Sequence, residues 1–196
     1  MLPAVATPYL LKAVSIESRF LSTTVETLVR FAILLGYVAV VFRMPEIQSV
    51  VEYHGAEHKT IWAWERNHRE VLDKVRNESW DATQVVEYLS GKAEHEARLH
   101  PRCGTSFLFI VVLCTWVVFL FVSPPSIYAK VAIRLALLPF AAGLSYEVLK
   151  MSADKDNLFW RMLRAPGMAL QSLTTREPSR AQLEVAAVSL VRLIEA

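Results

Sequence analysis

Glycine, cysteine and net charge are all scarce in this chain. Its 196 residues include six glycines and two cysteines, and 21 basic side chains against 19 acidic ones leave a formal charge of +2. Combined with a hydrophobic content of 54%, the lack of glycine argues against a disordered chain and points to packed or lipid-embedded structure in a single domain. Cys103 and Cys114 make no disulfide framework, because Cys114 lies in an apolar run where an oxidising partner is hard to place; both read as free thiols. Basic residues alternate with acidic ones instead of forming a stripe, which excludes nucleic acid as a partner class. The pattern of a secretory signal is missing too, since prolines at 3 and 8 and then Lys12, Glu17 and Arg19 interrupt the apolar residues. The stretch 10–21 reads instead as a short interfacial or packing helix.

Long apolar runs are abundant. Residues 105–122 contain no Asp, Glu, Lys or Arg and include Phe107, Ile110, Trp116 and Phe121. At about 1.5 Å per residue they span about 27 Å, close to the thickness of a bilayer's hydrocarbon core, and a buried helix in a soluble protein seldom stays apolar on every face for so long. Residues 27–42 form a second candidate span, with Arg30 and Arg43 placed to snorkel toward headgroups. Residues 131–149 form a third, interrupted by Arg134, Pro139, Gly143 and Glu147, and therefore read as a tilted, broken span or a re-entrant element. Ser123-Pro124-Pro125-Ser126 predicts a tight turn between the last two, making them an antiparallel hairpin. With three spans, the polar segment 43–104 and the C-terminal tail share one side. Their many Lys and Arg, against Lys130 alone in the short loop, place them in the cytoplasm.

The polar segment carries the chemistry. Residues 52–65 read as a helix on which His54 and His58 are one turn apart and share a face. Two neutral imidazoles at that spacing can hold a divalent ion of the zinc type, and Glu57 beside the second can act as general base on water at the metal. His-x-x-Glu-His is the inverted form of the zincin signature. A third ligand is open: His100 is the first choice, Cys103 the second and Glu147 the third, a carboxylate being costly near a membrane segment unless paired or coordinating. Cys103 has two other readings, as a nucleophile beside Arg102 and as a packing residue at a helix entry. Glu147 can alternatively snorkel and pair with Arg134 or Lys150. His68 and His95 sit among charges and read as exposed.

Residues 67–99 predict a small helical insert with Trp80, Val85, Val86, Tyr88 and Leu89 on one apolar face. Residues 158–173 mix Phe159, Trp160 and Met162 with Arg161 and Arg164 and are broken by Pro166-Gly167, which suits an interfacial element. Ser179 and Gln182 predict a capping box for a final amphipathic helix over 179–195, with Leu183, Ala187, Leu190 and Ile194 as its apolar stripe.

Four blocks in order carry a resemblance: Tyr53-His54-Gly55-Ala56-Glu57-His58-Lys59-Thr60, then His100-Pro101-Arg102-Cys103-Gly104-Thr105-Ser106-Phe107, then Gly143-Leu144-Ser145-Tyr146-Glu147, and last Leu173-Thr174-Thr175-Arg176-Glu177-Pro178. From about residue 25 onward the chain resembles the YqhQ-like family of bacterial membrane proteins, which has plastid relatives and is labelled a domain of unknown function or a predicted metal-dependent enzyme. The resemblance implies a metal role for His54, Glu57 and His58 and for His100 and Cys103. The family's glycine-rich N-terminal region finds no match in the first residues, which reads as a short member or a late start; if that region supplies part of the site, the chain is inactive alone.

The expectation is therefore an all-α integral membrane protein, crossing more than once, in a bacterial inner membrane or a plastid membrane. About three transmembrane or re-entrant helices enclose a helical cytoplasmic segment, and a C-terminal amphipathic helix follows. Its expected function is a membrane-embedded metal-dependent hydrolase, acting as a peptidase, amidase or esterase on a lipid-proximal substrate, with zinc, iron or manganese as the ion. The alternative is a non-catalytic scaffold or assembly factor in which the cluster holds a structural metal or only packs. Besides the lipid bilayer, a membrane protein or a second copy of the chain is an expected partner.

Overall fold

The computed structural model describes residues 19–122, 126–155 and 157–195. Among these, seven helices and no strands are present: α1 Arg19–Val41, α2 Pro45–Asn77, α3 Ala82–Ala93, α4 Gly104–Phe121, α5 Ile127–Asp154, α6 Leu158–Thr174 and α7 Arg180–Glu195. They fall into two units, one containing 1–39 and 101–167 and the other 40–100 and 168–196, with division points inside the last turn of α1 and inside α6. Most of the interfacial or packing helix read over 10–21, and the Ser-Pro-Pro-Ser turn except for Ser126, lie outside the described residues.

The first unit holds three helices long and apolar enough to cross a membrane, over Phe20–Val41, Gly104–Phe121 and Val131–Ser152. Their packing is inverted relative to a water-soluble bundle. Only 11%, 17% and 11% of these stretches is buried, and Leu28, Ile33, Tyr37, Val40, Leu135, Leu138 and Phe140 all point outward. Ser106, Ser145 and Glu26 face inward beside a small apolar cluster of Ile110, Cys114 and Leu149, as expected where lipid rather than water covers the outer apolar faces and close helix approach supplies the packing. The chain is a membrane protein.

Helix α1 runs antiparallel to α4, since Trp116 Nε1 donates to Thr24 Oγ1 at 3.1 Å while Phe31 meets Phe109 further along at 5.8 Å. Helix α5 is continuous where the sequence suggests a break. Pro139 lies inside it, and one missing backbone donor is tolerable when a helix's other hydrogen bonds have no competing water. Ser126 caps its start, accepting from Ala129 N at 3.2 Å. Gly167 lets α6 approach α4 closely, because a Cβ there would lie 2.8 Å from Ser106 Cα. Helix α6 also runs through its Pro166-Gly167 pair without interruption.

In the second unit α2, α3 and α7 pack about one apolar core of Ala56, Ala63, Val71, Val85, Leu89, Ala93, Leu183, Ala187 and Val191. The insert read over 67–99 is resolved into the end of α2 and a separate α3, whose predicted apolar face supplies Val85 and Leu89 to that core and sets Trp80, Val86 and Tyr88 against it. Asp81 and Gln84 form a reciprocal capping box on α3. The predicted box on α7 is present, with Ser179 N donating to Gln182 Oε1 at 2.7 Å and Gln182 N to Ser179 Oγ at 3.4 Å.

Candidate metal centre

Helix α2 positions His54 and His58, and two non-helical segments orient them. Residues 175–179 lie across α2, where Arg176 N donates to Val51 O at 3.0 Å. They come this close because Gly55 has no side chain: a Cβ there would collide with the Arg176 carbonyl. This places Thr174 O against His54 Nδ1 at 2.8 Å. Residues 94–100 return along the other flank, held by Trp62 Nε1 donating to Leu99 O at 2.9 Å and by the Arg66–Glu96 ion pair at 2.5 Å, and set Arg98 O against His58 Nδ1 at 2.7 Å.

Those two contacts fix the tautomers. A carbonyl oxygen only accepts, so each Nδ1 must carry the proton, and in a neutral imidazole the lone pair then sits on Nε2. That is the arrangement of metal-ligating histidines, whose second nitrogen is held by a backbone carbonyl. The two rings lie 4.4 Å apart between centroids, and each offers a ligand nitrogen within 4.8 Å of the other's. The donor set fits an ion of the zinc type.

His100 completes a row of three rings, its centroid 5.9 Å from that of His58 and 4.6 Å from the Trp62 indole. It is 4% exposed and His58 3%. Its backbone is clasped by the buried Gln171, whose Oε1 accepts from His100 N at 2.9 Å and whose Nε2 donates to His100 O at 2.8 Å. On the ring side, Glu65 Oε2 stands 3.5 Å from His100 Nε2. Buried Lys59 pairs with Glu177 at 2.7 Å, and Arg98 donates to Thr175 O at 2.5 Å, tying the two orienting segments together.

The other predicted site residues are Glu57, Cys103 and Glu147. Glu57 is exposed and, with Tyr53, Ile61, Val185, Leu190 and Leu193, lines a groove of about 350 Å3 between α2 and α7. Cys103 and Glu147 belong to the membrane unit. Cys103 is buried and caps α4, its Sγ accepting from Thr105 N at 3.5 Å. Glu147 is exposed on α5. It cannot reach Arg134, since thirteen intervening steps put the two about 20 Å apart along the helix; Arg134 pairs instead with Glu26 at 2.8 Å. His95 is exposed as predicted, whereas His68 is half-buried beside Trp64.

The family described as "Protein of unknown function (DUF1385)" matches residues 1–84 and 82–196. The chain belongs to this family. The uncharacterized protein YqhQ of Bacillus subtilis (strain 168) is 35% identical over 171 residues, which is 87% of this chain and 48% of that protein. The chain thus spans about half the length of this relative. No solved structure matches it.

Three residues of the centre escaped the sequence reading. Glu65 and Trp62 sit two and one helical turns beyond His58 and read as ordinary members of α2 until the 94–100 segment brings His100 against them. Gln171 gave one faint signal, an amide within a largely apolar helix.

Proposed function

We propose that the chain is a multi-pass membrane metalloprotein whose polar unit lies in the cytoplasm, of a bacterial inner membrane or of a plastid, and acts as a metal-dependent hydrolase on a lipid-proximal substrate. The observation that carries this reading is the pair of Nδ1–H···O=C hydrogen bonds, which commit His54 and His58 to presenting Nε2 from one helix face. His100 is the third ligand of choice, being in the same buried row. A bound zinc-type ion would supply a Lewis acid that polarises a carbonyl or phosphoryl oxygen. Glu57, next to His58 in the chain, takes the proton-transfer role, and the apolar α2–α7 groove it borders accommodates the hydrocarbon or side-chain portion of a substrate. Glu65 stands beside the His100 ring, its carboxylate 3.5 Å from Nε2.

A second reading is favoured by the depth of His58 and His100: a structural ion that staples 94–100 and 174–176 to α2 in a scaffold or assembly factor. Metal analysis of the detergent-purified protein, beside His54→Ala/His58→Ala, decides between metal and none. Near-stoichiometric zinc, iron or manganese that the double variant loses supports the centre, and a metal-free wild type refutes it. Glu57→Gln separates the two readings. In the hydrolase it retains metal and loses about 100-fold or more in turnover, whereas in the scaffold it changes neither metal content nor thermal stability.

A further inference from the structure

The membrane unit contains a second charged cluster, independent of the histidines. Glu26 on α1, 4% exposed, is paired with Arg30 of the same helix and with Arg134 of α5. Arg134 also lies over the Phe119 ring of α4 at 5.0 Å, so all three spans meet here. Two guanidiniums face one carboxylate, so these three side chains together carry an excess of one positive charge. The Arg134 Nε is buried with no hydrogen-bond partner among the described residues. Charges inside a membrane segment are costly unless they are compensated, and an uncompensated guanidinium there marks a binding site by default.

Beside this cluster opens a cavity of about 220 Å3 whose wall includes Arg30, Arg134, Thr115, Phe119, Leu138 and Ala141. It is several times larger than the ~30 Å3 share of one water molecule, and apart from the two arginines its lining is almost wholly apolar. Glu26 and Arg134 both sit roughly two turns, about 10 Å, inside the nearer helix end. A small hydrated anion would match the charge and leave the apolar wall wet. An amphiphile matches both.

We propose that Arg30, Arg134 and the adjoining cavity form a binding site for an anionic phospholipid, whose phosphodiester neutralises the excess guanidinium and whose acyl chain fills the cavity. Arginine suits this role because its planar fork donates two parallel hydrogen bonds to a phosphate. Glu26 holds the two guanidiniums together in the absence of lipid and sets the charge at +1 rather than +2.

The test is to equilibrate the full chain in mixed micelles containing equal phosphatidylglycerol and phosphatidylcholine, pass it over a sizing column, and quantify the retained lipids by mass spectrometry. One uncompensated basic group predicts about fivefold enrichment of phosphatidylglycerol. Arg134→Gln should abolish the preference, and Glu26→Gln should raise it about fivefold further. Leu138→Trp, which fills the cavity and leaves every charge in place, should abolish retention. If Arg134→Gln does not fold, the other two variants still decide, because a purely structural ion cluster predicts lower stability for Glu26→Gln and no gain in anionic lipid. Equal retention of both lipids by wild type overturns the proposal. So does displacement of the lipid by inorganic phosphate alone, which would assign the site to a free anion.

Discussion

Gly55→Ala should destabilise the polar unit, although helix propensity alone predicts the opposite. An alanine in a helix interior is worth about 1 kcal/mol over glycine. Here the new Cβ would lie closer than 3.0 Å to the Arg176 carbonyl oxygen and 3.2 Å from its carbon. The crossing segment cannot step back cheaply. Arg176 N is bonded to Val51 O, Thr174 O to His54 Nδ1 and Thr175 O to Arg98, and retreat forfeits two or three of these contacts at about 1 kcal/mol each. Overpacking of this kind costs about 1–3 kcal/mol. The steric cost therefore exceeds the propensity gain by about 1–2 kcal/mol, equivalent to a melting temperature lower by roughly 2–8 °C. Far-UV circular dichroism of the protein in detergent measures it. Gly91→Ala is the control, since nothing lies within 4 Å of a Cβ at Gly91, and that variant should melt at or above the wild-type temperature. A Gly55→Ala protein as stable as Gly91→Ala would refute the reasoning, because it would show that 175–177 yields freely and does not fix His54. Since the same shift moves the carbonyl that orients His54, metal affinity should also fall by about 10- to 100-fold.

Gln171→Leu keeps the side-chain size but strands the amide and carbonyl of His100, and should cost about 2–4 kcal/mol in the same melt; an unchanged melt would mean that water replaces the clasp. Tyr88 gives a pH signature. Burial, with the Glu70 carboxylate beside it, pushes its phenol up to about 12 from an ordinary value of 10.0. The folded state then holds a proton that the unfolded chain releases, so this contribution to stability is complete below pH 10 and is lost as the pH rises toward about 12. Unfolding followed across that window should show the loss in wild type and a smaller one in Tyr88→Phe, while phenolate absorbance of the two proteins should coincide up to about pH 10.5.

Features carried by local pattern were legible from the residues alone. The run 105–122 admits one reading because no charge interrupts it, and the capping box at Ser179 depends on residues three apart. The shared face of His54 and His58 follows from the helical period. Pro139 misled because the rule that proline breaks helices is calibrated on water-exposed backbone, where a freed carbonyl and a bent helix have ready alternatives.

By itself the sequence determined that the chain is helical, that three of its helices suit a bilayer, and that α2 presents two imidazoles in register. These properties are set by hydropathy and periodicity within a few turns. Only the tertiary structure decided which nitrogen of each imidazole carries the proton, that Glu65 and Gln171 attend His100, and that Arg134 answers to Glu26 rather than to Glu147. Each of those depends on groups dozens of residues apart in the chain, such as Thr174 against His54 and Arg98 against His58, and no local period encodes a contact between segments that meet only when the helices pack.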